Sequence, residues 1–175
     1  MRVEIHPTHP QQRLLDKAVE VLRRGGVVVY PTDTVYGIGC DITQKKALER
    51  VYELKRMPSD HPVGFVCPDL GDIARYAVVD DMSYRIMRRL LPGPYTFILP
   101  ATREVPKIVM RKQKTVGIRV PHHEVALRLV RALGHPIVST SASIDGVQHA
   151  DPDDIAAQFG RADMILDCGW GGLEP

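Results

Sequence analysis

Residues 30–39 read Tyr30-Pro31-Thr32-Asp33-Thr34-Val35-Tyr36-Gly37-Ile38-Gly39, the densest group of chemistry-bearing side chains in the sequence. Two threonines, two tyrosines and one carboxylate offer hydrogen-bond donors and acceptors to a small polar ligand. The glycines give the loop backbone freedom. A second chemistry is possible between residues 103 and 119, where Arg103, Lys107, Arg111, Lys112, Lys114 and Arg119 face a single acid, Glu104. If these cations converge on one face, they form a stripe for the phosphates of a nucleic acid, joined by Arg85, Arg88 and Arg89. No aromatic side chains are interleaved among them, so the stripe would read backbone and shape rather than bases.

These groups need a scaffold, and the hydrophobic pattern supplies an alternating one. Helices are expected over residues 10–24, 43–56, 69–75, 81–91, 124–133 and 153–159. In the first, Leu14, Leu15, Ala18, Val19 and Leu22 share one face and Gly25 is the stop; in the second, Thr43 is the expected N-cap. Strands are expected over residues 27–30, 62–67, 95–99, 115–120, 136–140 and 164–167. The result is a single α/β domain, a mixed sheet with covering helices and no internal repeat. The polar loop leaves the strand Val27-Val28-Val29, so its ligand is expected at a sheet end.

Composition narrows the classes. At 175 residues the chain can bury a proper core, and 44% hydrophobic with 25% charged residues is an ordinary globular balance. Apolar runs are too short for a membrane helix, and no apolar segment follows Met1-Arg2-Val3-Glu4 as in a secretory signal, so a cytoplasmic protein without membrane partners is expected. Cys40, Cys67 and Cys168 are scattered, without metal-ligand spacing, and read as reduced structural thiols. A net charge of +2 confines any nucleic-acid affinity to a local patch. The pair His122-His123 has no acid or thiol partner at ligand spacing and reads as surface; Gly37-Ile38-Gly39 lacks the rest of a dinucleotide fingerprint.

Five segments taken in order carry a resemblance. The loop Pro31-Thr32-Asp33-Thr34-Val35-Tyr36-Gly37-Ile38 resembles the P-T-[ED]-T-x-Y-G-[LI] signature of the YrdC/YciO family. It is followed by Leu54-Lys55-Arg56-Met57-Pro58, Leu91-Pro92-Gly93-Pro94-Tyr95-Thr96, Val116-Gly117-Ile118-Arg119-Val120-Pro121 and Ser139-Thr140-Ser141-Ala142-Ser143 with Gly146. The resemblance implies a YrdC-like open twisted mixed sheet curled around a concave basic cavity. It also implies a threonylcarbamoyl-AMP synthase, a nucleotidyltransferase that joins L-threonine, bicarbonate or CO2, and ATP with Mg2+, in tRNA N6-threonylcarbamoyladenosine formation. By the same resemblance Thr32, Thr34, Tyr36, Arg119 and Ser141 would hold threonine, Arg119 through its carboxylate. Lys55 and Arg56 would be catalytic and grip the triphosphate, and Thr115 and Ser143 would contact the nucleotide.

The chain departs from that signature in ways that resemble the YciO type. The family's K-x-R reads Lys55-Arg56-Met57, its S-x-N ends in Ser143, and Asp145-Gly146 stands where a Ser-Gly pair is usual. Val66 or Cys67 replaces a frequent histidine, and by the resemblance Gly169-Trp170-Gly171-Gly172-Leu173-Glu174-Pro175 would stop where the family usually runs on into a further strand and basic segment. The resemblance therefore also implies alternatives. One is a non-catalytic protein that binds double-stranded RNA or tRNA; the other is a pocket acting on a related adenylate.

Overall fold

The computed structural model describes residues 1–59, 61–107, 109 and 114–174. In chain order the elements are β1 (Arg2–Glu4), α1 (Gln12–Arg23), β2 (Val27–Tyr30), β3 (Gly37–Asp41), α2 (Lys45–Lys55), β4 (Gly64–Val66), α3 (Leu70–Tyr76) and α4 (Asp81–Leu90). They continue as β5 (Phe97–Pro100), β6 (Thr115–Arg119), α5 (Glu124–Leu133), β7 (Ile137–Ser141), the short hairpin β8 (Ser143–Ile144) and β9 (Val147–Gln148), α6 (Pro152–Phe159) and β10 (Met164–Asp167). An eight-stranded sheet runs β1-β10-β2-β3-β7-β4-β6-β5. It is parallel at β1/β10, β10/β2 and β4/β6, and antiparallel at its other contacts. The fold is the expected mixed α/β sheet with covering helices.

Strand alternation divides the core into two layers. Val27, Val29, Ile38, Cys40, Phe65, Ile118, Val138 and Ile165 point to one face, where α2, α3 and α6 supply Leu48, Val51, Ile73, Ile155 and Phe159. Their neighbours Val28, Tyr30, Val66, Ile137, Met164 and Leu166 point to the other, against Leu15, Ala18 and Leu22 of α1 and Val125, Leu129 and Leu133 of α5. Burying each such leucine or valine contributes about 1.5–3 kcal/mol. The apolar stripe read from α1 is the one the structure buries. Among the described residues no helix is long and apolar enough to cross a membrane.

Four strands, β1, β3 and the β8/β9 hairpin pair, escaped the sequence reading, each for a reason. β3 (Gly-Ile-Gly-Cys-Asp) has the glycines of a turn, yet it pairs along its length with β2 and β7, and that pairing overrides propensity. β1 is a three-residue edge strand, and β8 and β9 form a hairpin turned by Asp145 and Gly146, both at positive φ. Thr43 does not cap α2. Its N–H and hydroxyl both donate to Asp41 Oδ1 at 2.7 Å, and Gln44 takes the N-cap position.

Candidate functional site

A row of small residues leaves part of the sheet uncovered. Ser139 of β7 stands beside Gly64 of β4, which stands beside Gly117 of β6; Gly37 of β3 pairs with Ser141. All five have the strand parity of the α1/α5 layer, yet no large side chain rises from them. The consequence is a cavity of about 350 Å3. The cavity therefore lies across the sheet face rather than at a sheet end, because the floor lacks side-chain volume there.

The polar loop forms one wall. Thr32 Oγ1 donates to Val35 O at 2.6 Å and accepts from Thr34 N at 3.1 Å, an internal turn that fixes both threonines. Tyr36 OH donates to Gly169 O at 2.8 Å and accepts from Cys168 N at 2.9 Å. Gly172 N adds a bond to Thr34 O at 2.8 Å, so the stretch after β10 braces the loop. Burial pushes the Tyr36 phenol up to about 12, which keeps it a neutral strut.

Arg119 reaches this wall from the end of β6. Its Nη2 donates to Asp33 Oδ1 at 2.6 Å and to Thr34 Oγ1 at 3.0 Å. It is the single charged side chain among the described residues lining the cavity. The basic character expected of the whole concavity is thus concentrated in one guanidinium. On the floor, Tyr30 OH donates to Ser139 Oγ at 2.6 Å, and burial raises that phenol to about 12.

Lys55 approaches from beyond the opposite wall. At the end of α2, its Nζ donates to Ser141 O at 2.6 Å and lies 3.3 Å from Thr140 Oγ1 and 3.4 Å from Ser141 Oγ. Burial pulls its ammonium down to about 8. The lysine thus braces the end of β7 and places a cation behind Ser141 rather than in the open cavity. Arg56, its neighbour, is the left-handed C-cap at φ 54° and is exposed, outside the lining. Met57 turns inward and packs on the core.

Of the residues expected to bind ligand, the fold gathers Thr32, Thr34, Tyr36, Arg119 and Ser141 around the cavity. Ser143 is buried, its hydroxyl 3.0 Å from that of Ser141, one step behind the wall. Thr115, half-buried at the start of β6, is not among the lining residues. Arg103, Lys107 and Lys114 are exposed; Arg111 and Lys112 lie outside the described residues. The described residues hold no cluster of three or more metal-ligating side chains.

A family model described as "Telomere recombination" (Sua5_yciO_yrdC) matches residues 20–173. The chain belongs to the Sua5/YciO/YrdC family. Its sequence is 42% identical to the uncharacterised protein YciO of Escherichia coli K12 over 98% of this chain and 85% of that one. The crystal structure of E. coli YciO superposes with a TM-score of 0.95 at 41% identity, covering 100% of this chain and 87% of that chain. A threonylcarbamoyl-AMP synthase from Xanthomonas campestris is 38% identical over 91% of this chain and 88% of the synthase. Sua5 of P. abyssi, solved in complex with L-threonine, matches with a TM-score of 0.91 at 28% identity, over 98% of this chain and 51% of that chain.

Two residues near the Arg119 end of the cavity carried no role in the sequence reading. Asp33 was visible between two threonines, but only the fold sets it on Arg119. His123, read as surface, is instead half-buried at the N-cap of α5, with Nδ1 buried and without a hydrogen-bond partner among the described residues; His122 is the exposed member of the pair. The legible signal was proximity, since Pro121 carries the chain straight from Arg119 to His123.

Proposed function

We propose that the protein is a threonylcarbamoyl-AMP synthase of the YciO type. It would use L-threonine, bicarbonate or CO2, and ATP in the cytoplasm, for tRNA N6-threonylcarbamoyladenosine formation. The observation that carries the reading is the Arg119 guanidinium bonded to the Thr34 hydroxyl beside a floor of glycine and serine. The similarity to Sua5 solved with L-threonine and to a threonylcarbamoyl-AMP synthase supports it.

The chemistry follows from the groups at hand. Arg119 takes the threonine carboxylate through parallel hydrogen bonds, and Thr34 and Ser141 offer hydroxyls to the rest of the amino acid. The amine adds to CO2 and loses a proton, giving a carbamate. A carbamate oxygen then attacks the α-phosphorus of ATP, the bond to the β-phosphate oxygen breaks, and pyrophosphate leaves. Mg2+ enters with the nucleotide as part of the substrate. The residues contribute mainly by alignment, which is the larger part of catalysis in a displacement at phosphorus. Lys55 adds positive charge behind Ser141 while it holds that corner. A volume near 350 Å3 stands at the low end of small-molecule sites, about 300–1000 Å3.

Pyrophosphate release tests this, with threonine and bicarbonate each supplied and each withheld. Release that needs both, together with ATP and Mg2+, is the expected result. Folded protein that neither binds threonine nor releases pyrophosphate would overturn the reading. A second reading, double-stranded RNA or tRNA binding without catalysis, is favoured by the exposed Arg85, Arg88 and Arg89 of α4 together with exposed Arg103, Lys107 and Lys114.

A further inference from the structure

The loop that carries Thr34 also holds a carboxylate for which the proposed reaction has no use. Asp33 Oδ1 accepts from Arg119 Nη2 at 2.6 Å, so the guanidinium assigned to a substrate carboxylate already holds one. The two side chains are 12% and 18% exposed. Their pairing is only half made. Asp33 Oδ2 and Arg119 Nε are both buried, and neither has a hydrogen-bond partner among the described residues. A carboxylate on arginine ordinarily uses two parallel bonds, and an unmet buried polar atom destabilises the fold.

A third buried polar atom is unmet among the described residues. His123 Nδ1 is buried without a partner, on the segment that continues from Arg119 through Pro121. Burial lowers the affinity of this ring for a proton; the charge of Asp33, and then that of Glu124, raises it again. Asp33 is therefore bonded to Arg119 by a single contact, and its charge also reaches His123.

We propose that Asp33 stands in for the substrate carboxylate on Arg119, and that an arriving carboxylate hands Asp33 over to His123, the positioning residue of this subsite. The assignment of the substrate as threonine rests on the function proposed above. The incoming carboxylate takes Arg119 Nε together with Nη2. Asp33 turns about its side-chain torsions to His123 Nδ1, and the imidazole takes up a proton from solvent. Arg119 is never left buried without a counter-charge, a state that strongly destabilises proteins. Because one carboxylate replaces another, the exchange moderates affinity and ties it to pH. Binding is tightest below the free-state pKa of His123. It weakens by up to about tenfold per pH unit until the bound-state pKa is passed.

An NMR titration of the His123 ring in the full chain tests the exchange, without ligand, with acetate as a bare carboxylate, and with L-threonine. Saturation with either ligand is expected to raise the His123 pKa in the native protein and to leave it unmoved in Asp33→Asn. Asp33→Asn is expected to bind threonine several-fold more tightly, since no charged competitor remains, and His123→Gln to flatten the pH dependence of threonine affinity. A His123 pKa unchanged by both ligands overturns the proposal, as does weaker threonine binding by Asp33→Asn, which would make Asp33 a direct ligand. Acetate that raises the pKa in a protein that ignores threonine upholds the exchange and removes the threonine assignment.

Discussion

Replacing Arg119 with methionine keeps the aliphatic stem and removes the charge that Asp33 faces. Two bonds disappear, to Asp33 Oδ1 and to Thr34 Oγ1, and both Asp33 oxygens are then unmet in a setting that leaves the side chain 12% exposed. Breaking a fully buried pair costs about 3–5 kcal/mol; the residual exposure here argues for roughly 2–3 kcal/mol. Asp33→Asn keeps an oxygen that accepts from Arg119 but removes its counter-charge, and should cost about 1–2 kcal/mol. The double variant contains neither charge, so its cost should fall short of the sum by about 1–2 kcal/mol, the coupling expected of side chains in direct contact. Urea denaturation followed by circular dichroism measures all four proteins, provided their m-values agree. In heat, Arg119→Met should melt roughly 5–10 °C below the native chain. Costs that simply add, or an Arg119→Met penalty under about 0.5 kcal/mol, would refute the claim that this pair is a desolvated and mutually dependent unit.

Gly64→Val would test the floor: a Cβ there meets Gly117 O at 3.3 Å and its methyls enter the cavity, so ligand-dependent pyrophosphate release should be lost while the circular dichroism spectrum stays native. Lys55 binds its proton less tightly in the fold, at about 8 against 10.5 in the unfolded chain, so native stability should rise across that pH window, by at most about 3 kcal/mol. The carbonyl bond from Ser141 favours the charged form and reduces that gain, and Lys55→Met should abolish the slope; equal slopes in denaturation series would contradict it. Arg56→Gly should stabilise by about 0.5–1 kcal/mol, because its φ of 54° suits glycine, and Arg56→Ala should leave pyrophosphate release unchanged; a large drop in turnover would return Arg56 to the site.

Local chemistry made several features legible. The stripe of Leu14, Leu15, Ala18, Val19 and Leu22 predicts α1 and its buried face, since a helix repeats its contacts every three to four residues. The runs at Val27 and Thr115 give β2 and β6 for the matching reason in strands. The Thr32-Asp33-Thr34 loop is legible as a polar loop through its side-chain chemistry alone, and the structure sets it at the cavity wall. β3 stayed hidden because its glycines signal a turn, and only partners on both sides make it a strand.

The sequence by itself determined the fold class, the family and the residue types of the candidate site: cations at Lys55 and Arg119, hydroxyls at Thr32, Thr34 and Ser141. Tertiary structure alone decided how they are used. Lys55 and Arg56 are neighbours in the chain, yet the end of α2 buries one ammonium against Ser141 O and turns the adjacent guanidinium out to solvent. Asp33 and Arg119 lie far apart in sequence and meet because β6 ends beside the loop that follows β2. The cavity itself comes from a register that sets Ser139, Gly64 and Gly117 side by side on three strands. Strand register is fixed by long-range pairing, and no local pattern encodes which small residues will become neighbours.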